Sequence, residues 1–295
     1  MEHELRIGFL GYGEVAQYFA RDLTQGGVQS IVAYSRTGAK AAPDDPIRAR
    51  AAEAGVELVA SPRELCARAD VIIAVTPGRA ALQVLRSVRP HLRDHHLYVD
   101  ASTAAVDTME RAEELLAGKA GFCDVAIMGS VPLSGIKTPV VASGAQAERF
   151  REIFSPHGMR IQVIPGKAGA ATAMKLIRSV CMKGLAGLLL ESLEAAHRQG
   201  ILDVVAADLA ASIDERPFAQ IIKRYVCGTA VHAERRVHEM NESLALLRSL
   251  GSSTVMTRAT RAKIIGIAEL GLRERFDGRE PDSIHPVLEA IVAAS

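Results

Sequence analysis

The sequence has little sulfur to build with. Its four cysteines, Cys66, Cys123, Cys181 and Cys227, are widely spaced and form no C-x-x-C pair. That pattern excludes a disulfide framework or a thiolate zinc site as the organising device. It fits reduced intracellular thiols, so a cytoplasmic protein with no metal site is expected. Net charge is also lacking: 35 Lys and Arg against 34 Asp and Glu leave +1 at pH 7. Such a balance gives no reason to expect nucleic acid or a membrane surface as partner. A strand pattern starts within the first few residues, so no leader is expected. The most apolar stretch, between Gly166 and Gly200, is interrupted by Lys183, Gly184, Gly187, Glu191 and Glu194, which makes it a poor membrane span. Repeats and low-complexity tracts are absent. The 295 residues, 48% of them hydrophobic, suffice for one large or two medium domains with a substantial core.

What is present is alternation. Leu5 to Leu10 reads as a strand and runs into Gly11-Tyr12-Gly13-Glu14-Val15-Ala16, then a helical pattern through Leu23. Strand, G-x-G-x-x-A and helix in that order suit a dinucleotide. The first glycine permits the tight turn, the second lets a pyrophosphate approach the backbone, and the small Ala16 lets helix pack on strand. The plainer alternative is a tight βα turn and nothing more. A second strand, Ser30 to Tyr34, ends in Ser35-Arg36-Thr37, with Lys40 close by. NAD sites place an acidic residue near this strand end for the ribose 2′-hydroxyl. Here a cation stands instead, which favours NADP over NAD. Arg36 stacking on adenine would suit either cofactor.

Further strands follow at Asp70 to Val75, Leu97 to Asp100, Phe122 to Ile127, Val140 to Gly144 and Arg160 to Ile164, with helical patterns between most of them. A doubly wound parallel sheet is expected over residues 1–165. The strand ends Val75-Thr76-Pro77 and Ala101-Ser102-Thr103 would line the crevice at its carboxyl edge. Ser102 and Thr103 are equally suited to capping the next helix.

Residues 166–200 read as one long interdomain helix, closed by Gly200, with His197 and Arg198 in its last turn. Its Ala, Leu, Met and Gly content predicts burial on most sides. Lys175, Arg178 and Ser179 share one face with Thr172 and Met182. Two cations this early in a helix oppose its macrodipole, so an anion should compensate them. This face is either catalytic and anion-binding or a solvated stripe. Residues 201–295 read as helices only: Ile201 to Ile213, Phe218 to Val226, Val231 to Leu250, Thr254 to Leu270 and Val287 to Ala293. Among them Arg235, Arg236, His238 and Glu239 read chiefly as a solvated helix face.

In order and spacing, GFLGYGEVAQYFARDL at the start, VDAST at Val99 to Thr103, DVAIMGS at Asp124 to Ser130 and GKAGAATAMKLIRS at Gly166 to Ser179 resemble the β-hydroxyacid dehydrogenase family. That family includes 3-hydroxyisobutyrate dehydrogenases and is related to 6-phosphogluconate dehydrogenases. The helical remainder is more like a subgroup with a variant C-terminal domain. The resemblance implies a Rossmann-type α/β domain followed by an all-helical one, and a homodimer. It implies pyrophosphate at the loop Gly11 to Val15 and the adenosine end at Ser35, Arg36 and Thr37. A substrate carboxylate would lie on Ser102, Thr103, Gly129 and Ser130, and Lys175 would be the acid/base. The surroundings depart from the family: Met128 stands where a hydroxyl is usual, Ser179 where an Asn is usual, and His238-Glu239 where a Lys-Asp pair is usual. Arg178, Ser179 and Glu239 are therefore added to the substrate-side candidates. The resemblance and its departures together imply an NADP(H)-dependent oxidoreductase acting on a small anionic hydroxyacid or its oxo partner, not 3-hydroxyisobutyrate itself. The alternatives are an imine reductase, a class that resembles this fold but usually lacks the lysine, and a non-catalytic NADP-binding sensor.

Overall fold

The computed structural model describes residues 4–42 and 44–294. Residues up to Ser179 form one compact unit and residues from Val180 a second.

The first unit is built on eight strands: β1 (Arg6–Leu10), β2 (Ser30–Tyr34), β3 (Glu57–Leu58), β4 (Val71–Ala74), β5 (Leu97–Asp100), β6 (Gly121–Ile127), β7 (Val140–Ser143) and β8 (Ile161–Val163). They pair in the order β3-β2-β1-β4-β5-β6-β7-β8. The chain winds outward from β1 to β3, returns, and continues from β4 on the other side. The switch point therefore lies between the carboxyl ends of β1 and β4, where ligands bind in such sheets. β4 reads Val-Ile-Ile-Ala and is buried throughout, as expected of a strand covered on both faces.

Period-two alternation sends Ile7, Phe9, Ile73 and Val99 to one face of the sheet and Leu10, Ile72 and Tyr98 to the other. The first face packs on α1 (Glu14–Gln25), α2 (Pro46–Glu53) and, after the one-turn α6 (Val131–Ser134), α7 (Ala147–Phe154). The second packs on α3 (Pro62–Arg68), α4 (Ala81–Val88) and α5 (Val106–Leu116). Each large apolar side chain buried there contributes about 1.5–3 kcal/mol. α3 starts as its sequence dictates: Ser61 Oγ accepts from Glu64 N at 3.2 Å, Pro62 takes the first turn, and Glu64 reaches back to Ala60 N at 3.0 Å.

The sheet is not wholly parallel. β7 runs antiparallel to β6, and β8 follows β7 in parallel. The 128–139 link does not cross the sheet. It folds as α6 and a 3-10 turn against α1, where Ile136 N donates to Asp22 Oδ2 at 2.8 Å.

α8 (Ala170–Gln199) begins in this unit and continues into the second. It ends as the sequence predicts. Gly200 takes φ +77, Ile201 N donates to Ala196 O at 3.0 Å and Gly200 N to His197 O at 3.1 Å, the paired bonds of a glycine C-terminal cap. The expected burial on most sides does not hold. Ile177, Val180 and Leu190 are 71%, 77% and 73% exposed, because no described element of the chain covers that stripe.

The second unit adds α9 (Leu202–Asp214), α10 (Phe218–Ser249), α11 (Val255–Ala268), α12 (Leu272–Arg275) and α13 (His285–Ala293). Cys227, Ala230, Ala233, Ile267, Leu272, Val287 and Ala290 form its core. The two helices expected over Phe218 to Leu250 are one run, broken in φ/ψ at His232. Among the described residues no helix is long and apolar enough to cross a membrane.

Candidate functional site: a crevice at the carboxyl edge of the sheet

At the end of β1, Gly11 takes φ +90. A Cβ there would sit 2.9 Å from Thr76 Cγ2 and 3.1 Å from Val75 O, so only glycine lets β1 turn this close to β4. Gly13 precedes α1 without a side-chain cap, and nothing lies within 4 Å of where its Cβ would be. The first N–H groups of α1 therefore open onto space that a phosphate can enter. Glu14 and Val15 form the rim. The Tyr12 side chain turns away: it is buried in the core and donates to Arg50 O at 3.2 Å. Only its backbone belongs to the loop.

Two neighbouring cavities share Thr76 and Pro77. The first, about 360 Å³, lies beyond β2 and is bounded by Gly11, Ser35, Arg36, Thr37, Pro62 and Gln83. Ser35 Oγ accepts from Gly38 N at 2.8 Å, which fixes this turn, and Arg36 is exposed with no ion pair among the described residues. The second, about 470 Å³, collects Val75, Ala101, Ser102, Thr103, Gly129, Ser130 and Lys175. Here Lys175 Nζ donates to Thr103 Oγ1 at 2.8 Å. The oxygens Thr76 Oγ1 and Ser102 Oγ are buried without a hydrogen-bond partner among the described residues. Unpaired polar atoms at such depth are costly unless a ligand meets them. The uncapped helix start and the two adjoining cavities leave room for a nicotinamide dinucleotide.

Two buried carboxylates support the second cavity. Asp100 Oδ1 accepts from Ser102 N at 2.9 Å and holds the turn that carries Thr103. Burial drives the Asp100 pKa up. The bond from Ser102 N opposes this, the Asp124 charge adds to it, and the outcome is about 6. Asp124, fully buried and opposite Asp100 in the sheet, accepts from Gly169 N, Thr172 N, Thr172 Oγ1 and Ser143 Oγ at 2.7–3.1 Å. It fastens the start of α8, and with it Lys175. Its charge lies at the positive end of the α8 dipole. Gly78 is equally constrained, since a Cβ on it would come within 2.0 Å of Thr103 O.

Not every expected residue joins this cavity. Arg178 is exposed on α8, and neither it nor Ser179 lines the cavity beside Lys175. Glu239 belongs to the second unit, where it pairs with Arg235. Asp100, Asp124 and Gly78 carry no assigned role in the sequence reading. The signal for Asp124 was present as a lack: α8 starts after Gly166 and Gly169, with no Ser, Thr, Asp or Asn to cap it, so its cap must come from elsewhere. Among the described residues, no group of three or more His, Cys, Asp and Glu side chains is placed to hold a metal ion.

Comparison with known proteins agrees with this layout. Residues 6–104 match the family model described as NADP oxidoreductase coenzyme F420-dependent, and residues 196–264 the model described as Domain of unknown function (DUF1932). A conserved protein of unknown function, whose solved structure revealed structural similarity with 3-hydroxyacid dehydrogenases, is 32% identical over 93% of this chain and 100% of that one, with a TM-score of 0.60. The chain belongs to the 3-hydroxyacid dehydrogenase-like family. Members are NAD(P)-dependent oxidoreductases, and the DUF1932 match marks a C-terminal domain found in 3-hydroxyacid dehydrogenase-like proteins. A conserved hypothetical protein from Sinorhizobium meliloti 1021 is 28% identical over 99% of this chain and 97% of that chain, with a TM-score of 0.61. An imine reductase variant from Myxococcus stipitatus, solved with NAD+, shares the fold: TM-score 0.77, 18% identity, 98% and 100% coverage.

Proposed function

We propose that this member of the 3-hydroxyacid dehydrogenase-like family moves a hydride between NADP(H) and a small anionic hydroxyacid or its oxo partner, with Lys175 as the general acid/base. One observation carries the reading. The Lys175 amine lies against Thr103 Oγ1 in the cavity that also holds the ends of β4 and β5. Gly11, Gly13 and the first turn of α1 hold the pyrophosphate, and Val75, Thr76, Pro77 and Ala101 flank the nicotinamide end. Arg36, with Ser35 and Thr37, meets a 2′-phosphate, which is why NADP is preferred to NAD. Bound there, the dinucleotide supplies or accepts the hydride.

The chain's own groups do the rest. Ser102, Thr103 and Ser130 offer hydroxyls, and Gly129 close backbone approach, for a carboxylate. Lys175 Nζ takes the proton from the substrate hydroxyl in one direction and returns it to the carbonyl oxygen in the other. The walls of the crevice orient the reacting carbon. The exposed apolar stripe on α8 and its neighbours, Val180, Leu190 and Val204 among them, suits a second copy of the chain, so a homodimer is part of the reading.

The test is a panel of oxo acids, imines and hydroxyacids, with cofactor absorbance followed in parallel with NADPH and NADH (NADP+ and NAD+ for the hydroxyacids). Turnover of oxo acids with NADPH at the higher kcat/KM is expected. Turnover of imines alone assigns an imine reductase. Tight NADPH binding with no turnover across the panel assigns a sensor.

A further inference from the structure

We propose that Asp124 is a positioning residue for Lys175: its buried carboxylate fastens the first turn of α8 and supplies negative charge beneath the lysine amine. The inference deepens the acid/base reading of Lys175 and rests on it.

The geometry is closed on every side. Asp124 Oδ2 accepts from Ser143 Oγ at 3.1 Å, Gly169 N at 2.9 Å and Thr172 N at 3.0 Å. Its Oδ1 accepts from Thr172 Oγ1 at 2.7 Å. Ser143 Oγ in turn accepts from Ala171 N at 2.9 Å, so its own proton is directed at Asp124. Oδ2 is saturated by three donors, and Oδ1 is held by the Thr172 hydroxyl. The cap of α8 is thus supplied by the sheet rather than by the helix, and it ties the helix to β6 and β7. Lys175 follows Thr172 by three positions and stands on the same face, one turn further along.

Asp100, the register partner of Asp124 on β5, holds Ser102 N and so the neighbouring Thr103. Two carboxylates side by side in the sheet therefore fix the two ends of the Thr103–Lys175 bond. A helix cap needs only hydrogen bonds. A charge buried behind an amine that must gain and release a proton also sets where that amine titrates. Charged groups near this end of α8, among the described residues, include Glu110 of α5, paired with Lys167 at 2.8 Å, Glu113 of α5 beside Gly144, and Glu14 across the cavity.

The experiment is 13C reductive methylation of the full chain, with each lysine's methyl signal followed against pH by NMR. The Lys175 signal is assigned by its loss in Lys175→Arg. In Asp124→Asn the Lys175 midpoint is expected to fall by about half a pH unit or more, while the other lysines stay where they are. In Thr172→Val, which removes one bond and keeps the shape, the Lys175 signal is expected to move in position. NADPH affinity should remain within about twofold in both. A Lys175 signal unchanged in position and midpoint in the variants, however far their Tm falls, reduces Asp124 to a structural cap and overturns the proposal. Should Asp124→Asn fail to fold, the Thr172→Val signal decides alone. The readout does not depend on turnover. If Lys175→Ala keeps activity, the acid/base reading falls while the coupling of Asp124 to Lys175 is still tested.

Discussion

Asp100 shows how a single residue couples the crevice to pH. Its carboxyl is buried at the end of β5 and titrates near 6 rather than at the usual 3.8. A folded-state pKa raised in this way contributes stability that is complete below about 3.8 and is lost as pH rises through about 6. At neutral pH the ionised side chain therefore costs on the order of 3 kcal/mol. Asp100→Asn, which keeps the acceptor for Ser102 N, is expected to raise Tm at pH 7.5 and to leave it unchanged at pH 4. Equal effects at both pH values in thermal unfolding would contradict the raised pKa. Residues of this kind were illegible in the sequence, because burial decides their behaviour and no motif encodes it. The loop Gly11 to Ala16 was legible, since the conformations it must adopt restrict its residue types. Tyr12 was only half legible: its place in the loop follows from the motif, but the direction of its side chain is set by core packing.

At the scale of elements, Glu191 on α8 plays for α11 the part that Asp124 plays for α8. Its carboxylate accepts from Ser253 Oγ, Met256 N, Thr257 N and Thr257 Oγ1 at 2.7–2.9 Å. Burial alone would raise its pKa. Those bonds from Thr257, Met256 and Ser253 outweigh it and bring the value from 4.5 down to about 2. A depressed pKa means that the stabilisation is complete above about 4.5 and is lost as pH falls towards 2. Glu191→Ala should cost about 3 kcal/mol at pH 7, read by chemical denaturation, and the gap between variant and parent should shrink on acidification. A gap that does not change with pH would contradict this. Element boundaries were legible where a residue type marks them, as with Gly200 or the Ser61-Pro62-Arg63-Glu64 start. The break in α10 was legible as a break between Val226 and Val231, but not in its exact place. Gly228 invites a break before Val231, but its lack of a side chain serves close approach: a Cβ there would lie 3.1 Å from Arg236 and 3.2 Å from Glu280. The φ/ψ departure falls instead at His232, beside Glu280.

At the scale of the whole molecule, the order of the sheet followed from alternation of strand and helix, whereas the reversal at β7 depends on how the 128–139 link docks on α1, a tertiary matter. The stripe of α8 is legible as apolar, but burial within one chain does not follow from that. If a second copy covers it, light scattering coupled to gel filtration will report a dimer, and Leu190→Glu, at a site 73% exposed, will shift it towards monomer without lowering helix content. A monomeric parent chain would remove that part of the account. The chemistry turns on one amine, that of Lys175. Lys175→Ala, assayed with NADPH and whichever panel substrate turns over, alongside titration of the dinucleotide alone, measures it most directly. In this variant kcat is expected to fall by about 10²-fold or more while the NADPH Kd stays within about twofold. Turnover that survives the substitution, or NADPH binding that disappears with it, would contradict the role given to Lys175.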